Sequence, residues 1–166
     1  MVRITTPRLV LRRARLEDAE PLHEVFADAR AVRFWSTPPH ADVEETRRFV
    51  QAMVDAPGEL SDDFVIGFGG RPVGKAGCWR LPEVGYILHP DLWGRGLARE
   101  ALEAVIERMF TLRGLDALTA DVDPRNTRSV GLLERLGFRE THRAERTWHV
   151  GGEWCDSVYL RLERMA

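Results

Sequence analysis

The chain has 166 residues, 44% hydrophobic and 30% charged, a balance that predicts one globular domain with room for a real core. A formal net charge of −2 gives no overall positive field for nucleic acid. No apolar run approaches the roughly 20 residues of a membrane span, and the first residues lack an apolar signal core, so a cytoplasmic protein with no membrane partner is expected.

Arg8 to Arg13 reads as a short strand with Leu9 and Leu11 on one face. Glu17 to Ala29 reads as a helix, with Ala19, Leu22, His23 and Phe26 on one side. Phe34 to His40, with two prolines, is a loop. Asp42 opens a second helix, and Glu45 three residues on makes an aspartate form of the capping box. Pro57-Gly58 ends it. Phe64–Phe68 and Val73–Trp79 are expected strands of a hairpin turned at Gly69-Gly70-Arg71-Pro72.

The central stretch runs from Glu83 to Ala101. Glu83 to Leu88 has the pattern of a strand, which His89-Pro90-Asp91 breaks. Gly94 and Gly96 follow, and from Leu97 the apolar residues recur at three- and four-residue spacing as far as Phe110. Strand, glycine loop and helix start in this order let backbone N–H groups and a helix dipole converge on an anion such as a pyrophosphate. Gly114 is a suitable helix stop, and Ala117 to Val122 is the next strand, expected parallel to Glu83–Leu88 because a helix joins them. Asn126 to Leu136 is a further helix. Phe138 to Val150 and Glu153 to Leu162 form a closing hairpin at Gly151-Gly152. The fold class is therefore α+β (mixed α/β), one domain over residues 1–166, with a mostly antiparallel sheet flanked by helices.

Two phosphate motifs fail. Gly69 to Lys75 matches Gly-x4-Gly-Lys, but Ala76 replaces the metal-binding Ser or Thr and the context is a hairpin. Gly94-Arg95-Gly96 lacks the third glycine of a dinucleotide loop, since Arg99 stands there. Cys78 and Cys155 fit no paired motif, and the five histidines show no ligand spacing, so neither metal nor disulfide is expected.

Trp93-Gly94-Arg95-Gly96-Leu97-Ala98 resembles the acetyl-coenzyme A loop of the GNAT acetyltransferases, Arg/Gln-x-x-Gly-x-Gly/Ala, with Trp93 in place of Arg or Gln as in the RimJ/RimL-type branch. Thr6 to Arg12 with Glu17-Asp18-Ala19 is similar to that branch's opening, Asn126 to Phe138 to its second cofactor motif, and Gly152 to Val158 to its closing hairpin. The resemblance implies a sheet with a splayed parallel strand pair and acetyl-CoA as co-substrate in the gap. The pyrophosphate would lie on Trp93, Gly94, Arg95, Gly96, Leu97, Ala98 and Arg99. The pantetheine would pair with Tyr86, Ile87 and Leu88, Ser129 would also meet the coenzyme, and Asn126 would hydrogen-bond the coenzyme or anchor the helix. The amine would attack directly, with no protein nucleophile.

Glu83 is the candidate base; by itself it reads equally as a solvated carboxylate at a strand end. Asp62, Asp63 and His40 are further candidates. The family's tyrosine acid, seven residues after the Asn, falls here on Leu133, which cannot donate. Ser129 is the candidate substitute, or else a helix-start residue bonding its own backbone. Phe34, Trp35, His40 and Trp148 either line the acceptor cleft or belong to the core. Three readings follow: acetylation of a protein N-terminal α-amine, acetylation of a small amine (aminoglycoside, polyamine or amino-acid derivative), or a coenzyme A-binding sensor without catalysis. A homodimer is an open partner.

Overall fold

The computed structural model describes residues 1–166. Eight strands form one sheet: β1 Arg3–Thr5, β2 Leu9–Arg12, β3 Asp62–Phe68, β4 Arg71–Arg80, β5 Glu83–Leu88, β6 Ala117–Val122, β7 Arg139–Val150 and β8 Glu153–Glu163. Their order across the sheet is β1-β2-β3-β4-β5-β6-β8-β7. Every neighbouring pair is antiparallel except β5 and β6, which are parallel. Helices α1 Ala19–Phe26, α2 Ala29–Val32 and α3 Val43–Asp55 precede β3; α4 Leu97–Thr111 joins β5 to β6, and α5 Thr127–Arg135 leads into β7.

Strand alternation sorts the side chains into two cores. Phe64, Ile66, Val84, Leu88, Leu118 and Leu160 pack in the larger cluster with Leu97, Leu102, Val105 and Met109 of α4. Val65 and Ile87 instead join Leu22, Val25 and Phe26 of α1 and Val50 of α3. Thus α4 and α5 share the larger cluster, and α1 to α3 share the smaller one.

Several expectations shift in detail. The helix expected over Glu17–Ala29 is a 3-10 turn at Leu16–Asp18, then α1, then α2. Asp28 causes the break: its carboxylate accepts the Arg30 N–H at 2.8 Å and starts a new helix. Asp42 caps α3 by accepting from Glu45 N–H at 3.0 Å, while the Glu45 carboxylate reaches back to Ala41 N–H at 3.1 Å rather than to Asp42. β3 begins two residues before Phe64. Asp62 and Asp63 fit inside a strand because each is neutralised, Asp62 by Arg13 at 2.5 Å and Arg108 at 2.8 Å, Asp63 by Lys75 at 2.7 Å. Gly69 and Gly70 make the tight hairpin turn with φ of 59° and 77°, left-handed values at both central positions. β1, three residues at the sheet edge, carries too little alternation to be read from sequence. No helix is long and apolar enough to cross a membrane.

Candidate active site

The site starts where the sheet comes apart. β5 and β6 pair only at Glu83 and Thr119, with a Thr119 N–H to Pro82 carbonyl bond of 3.0 Å. Beyond that point Tyr86, Ile87 and Leu88 have β4 as their only neighbouring strand, opposite Ala76, Lys75 and Gly74. Their other edge faces a gap that an extended ligand can pair with. At the end of this edge the Trp93–Arg99 loop turns into α4. Gly94 and Gly96 hold φ of 78° and 75°, and a Cβ at Gly94 would meet nothing within 4 Å. Gly96 caps α4 and offers no side-chain acceptor, so the first N–H groups of the helix are left for an external anion.

The loop is held from behind. Arg8 donates to the Arg95 carbonyl at 2.8 Å and, through its backbone N–H and Nε, to Glu100 at 2.8 and 2.7 Å. Thr6 adds a 2.6 Å bond to the same carboxylate. Burial raises the Glu100 pKa, but these donors outweigh it and hold it below the usual range. Trp93 folds back and donates its indole N–H to the Leu88 carbonyl at 3.0 Å. Arg128 of α5 lies over the Trp93 ring, 4.7 Å from its centroid. The family pattern has a polar residue at position 93; here that position seats a cation supplied by α5, a residue that sequence reading missed because only the tertiary fold puts it there.

On the α1–α3 face a cavity of about 540 Å³ opens beside the gap. Glu83 and Asp121 line it from the two splayed strands, together with Phe34, Trp35, Trp79 and Trp148. Each of the two carboxylates is gripped by an indole: Trp79 Nε1 donates to Glu83 at 2.6 Å, and Trp148 Nε1 to Asp121 at 3.0 Å. Burial pushes the Glu83 carboxyl up, the Trp79 bond opposes this, and the Asp121 charge adds to it. A raised carboxylate suits a base at neutral pH better than a solvated one. Arg125 bridges Asp123 at 2.7 Å and Glu153 at 2.8 Å, and sits 5.5 Å from the Phe34 ring, tying the 33–36 loop across to the last hairpin.

The other acid and base candidates sort by surroundings. Asp62 is fully buried on the α4 side among Arg13, Arg108 and Arg113 and does not line the cavity. Asp63 lines it, but its charge is taken by buried Lys75. His40 is a core residue: it stacks on Phe26 and shares Thr46 with His23, at 2.7 and 2.8 Å. Burial lowers its pKa, and it is absent from the lining. Phe34, Trp35 and Trp148 do line the cavity, Trp35 while also packing against the smaller core, and His40 alone of the four is absent from the lining.

On the opposite face, Asn126 caps α5 by accepting from Ser129 N–H at 3.3 Å. The Ser129 hydroxyl meets the Tyr86 hydroxyl at 2.5 Å. Leu133 is buried in the larger core. Glu83 and the Tyr86–Ser129 pair therefore stand on opposite faces of the sheet, with the gap between β5 and β6 connecting them.

Residues 8–139 match the acetyltransferase (GNAT) domain family. The chain belongs to this family. It is an acetyl-CoA-dependent N-acetyltransferase. It is 33% identical over 150 residues to the uncharacterized N-acetyltransferase p20 of Bacillus licheniformis, covering 84% of each chain. The acetyltransferase is also similar to the [ribosomal protein uS5]-alanine N-acetyltransferase of Escherichia coli, 28% identical over 97% of this chain and 90% of the relative. To the Escherichia coli spermidine N(1)-acetyltransferase it is 24% identical, over 90% and 83%. A GNAT acetyltransferase structure from Bacillus anthracis superposes with a TM-score of 0.84 at 25% identity, covering 98% of both chains.

Proposed function

We propose that this acetyltransferase transfers the acetyl group of acetyl-CoA to a primary amine of a small molecule that carries a further positive charge. The observation that carries this reading is the charge of the acceptor cavity. Glu83, Asp121 and Asp156 line it as carboxylates with no cation within salt-bridge distance, set among aromatic faces that favour cations. The sequence could not place this cleft; its acidity supports the small-amine reading over the protein N-terminus expected first.

Acetyl-CoA brings the acetyl group as an activated thioester. In this reading the N–H groups from Gly94 to Arg99 hold its pyrophosphate, with Arg128 adding charge. The free edge at Tyr86, Ile87 and Leu88 pairs with the pantetheine, and one of those N–H groups faces the thioester oxygen. Asn126 fixes α5, and Ser129 meets the coenzyme near its sulfur. Glu83 takes the proton from the attacking amine on the cavity side, and Asp121 holds the second ammonium. Holding both substrates across one gap supplies the proximity that direct attack requires.

A protein α-amine is the second reading. The similarity to the uS5-alanine enzyme spans nearly the whole chain, and an α-amine with a pKa near ~8 asks less of its base than a lysine-like amine. The test is thiol release from acetyl-CoA across diamines, polyamines, aminoglycosides, amino-acid derivatives and peptides with free N-termini. The expected result is the highest kcat/KM on a dication, with Asp121→Asn raising its KM about tenfold or more. Preference for peptides, indifferent to Asp121→Asn, would move the assignment to the second reading. Coenzyme binding without release for any amine would remove catalysis.

A further inference from the structure

We propose that Tyr86 is a positioning residue for the reaction, aiming the Ser129 hydroxyl at the departing sulfur of the thioester. The proposal rests on the reading that acetyl-CoA occupies the gap between β5 and β6.

Ser129 is the third residue of α5, where a hydroxyl commonly bonds the backbone of its own helix. Here Oγ makes no such bond, and its one partner is Tyr86 Oη at 2.5 Å. The hydroxyl is thereby drawn off its helix and toward β5. Tyr86 sits on the stretch of β5 that has lost β6 as a neighbour. Its ring packs against the larger core, so the hydroxyl is the part that reaches α5. The pair thus spans the gap from strand to helix, beside the free edge.

A pair of hydroxyls shares one proton in the bond between them and has one left over. The phenol, with a pKa near ~10, is a much stronger acid than an alcohol, so it is the preferred donor. With Tyr86 donating, the Ser129 proton is the free one and can point at a third atom in the gap. Burial raises the Tyr86 pKa, opposed by the Ser129 bond and the charge of Arg135, and this keeps the phenol protonated as a donor. Buried Leu133, one turn further along α5, has no donor to offer.

In the transfer the amine nitrogen bonds to the acetyl carbon and the carbon–sulfur bond breaks, its electron pair staying on sulfur. The amine proton passes to Glu83 and on to solvent. Ser129 stabilises the thiolate through its free O–H, and the thiolate takes its proton from solvent on release. The Tyr86 side chain touches neither substrate and remains neutral throughout.

The test compares binding of coenzyme A and desulfo-coenzyme A by titration calorimetry from neutral to alkaline pH, so it does not depend on knowing the acceptor. In the wild-type protein the affinity for coenzyme A gains about tenfold or more over the desulfo analogue as the thiol ionises, the worth of one hydrogen bond to a charged group. Tyr86→Phe and Ser129→Ala each lose that gain while keeping desulfo-coenzyme A affinity, and the double variant loses no more than Ser129→Ala. A full gain retained in Tyr86→Phe, or losses that add in the double variant, would overturn the proposal alone. Failure of either nucleotide to bind the wild-type protein would overturn the coenzyme site itself.

Discussion

Glu83 takes its character from its burial and its charged and hydrogen-bonding neighbours rather than from its place at the start of a strand. Burial raises its pKa, the Trp79 indole lowers it, and the charge of Asp121 raises it again. A base works deprotonated, so kcat/KM falls as pH drops through this raised value. The acid limb of the profile should therefore lie above the ordinary glutamate range. Trp79→Phe removes a lowering influence and should move the limb up; Asp121→Asn removes a like charge and should move it down. Glu83→Gln should abolish the limb and cut kcat about 10²–10⁴-fold. A pH–rate series on the four proteins decides this, and an unmoved limb would assign the base elsewhere. At the same scale, Cys78 is a packing residue: burial, with Asp63 and Asp62 adding to it, pushes its thiol up to about 12.

At the scale of the element, the glycine loop and α4 work as one unit. The left-handed φ of Gly96 ends β5's turn and starts α4 without a capping side chain, so the anion can take the cap's place. Gly96→Val would strain that φ, and Gly96→Pro would forbid it, since proline fixes φ near −65°. Either variant should lose most of its acetyl-CoA affinity in a calorimetric titration while its far-ultraviolet circular dichroism stays near native. Unchanged affinity would reduce the loop to a turn. The loop is also pinned by Thr6 and Arg8 through Glu100, residues more than 80 positions away in sequence. That connection ties the N-terminal segment to the loop proposed to hold the coenzyme.

For the whole molecule, the sheet carries charge in its interior. Lys75, the only lysine, is 2% exposed and pairs with Asp63 at 2.7 Å on the floor of the cavity beside the gap. Removing one partner of such a pair leaves the other charged and unpaired, at a cost of about 3–5 kcal/mol. Lys75→Met should lower Tm on the order of 10 °C for a chain of this length. Adding Asp63→Leu should restore much of the loss, because a well-packed apolar pair replaces a buried ion pair at little cost. Thermal unfolding of the two variants measures both effects. Equal Tm values for wild type and Lys75→Met would mean that solvent already screens the pair.

Elements with strong local signals were legible in the amino-acid sequence alone. The strand–glycine–helix order at Glu83–Ala101, the glycine turns and the apolar spacing of α4 each depend on residues within one turn or one hairpin of each other. β1 and the strand start at Asp62 were not, because one is too short to alternate and the other is stabilised by cations from just after β2, from β4 and from α4. The resemblance carried by Trp93–Ala98 and Asn126–Phe138 led to the coenzyme and to the family. The cavity proposed for the acceptor was decided only by the tertiary structure. Its acidic and aromatic lining comes from α3, from the loop at Arg33–Ser36 and from strands β3 to β8, brought together where β5 and β6 part. Arg128 over Trp93 and Tyr86 against Ser129 depend on the same parting, a property of the sheet that no local run of residues encodes.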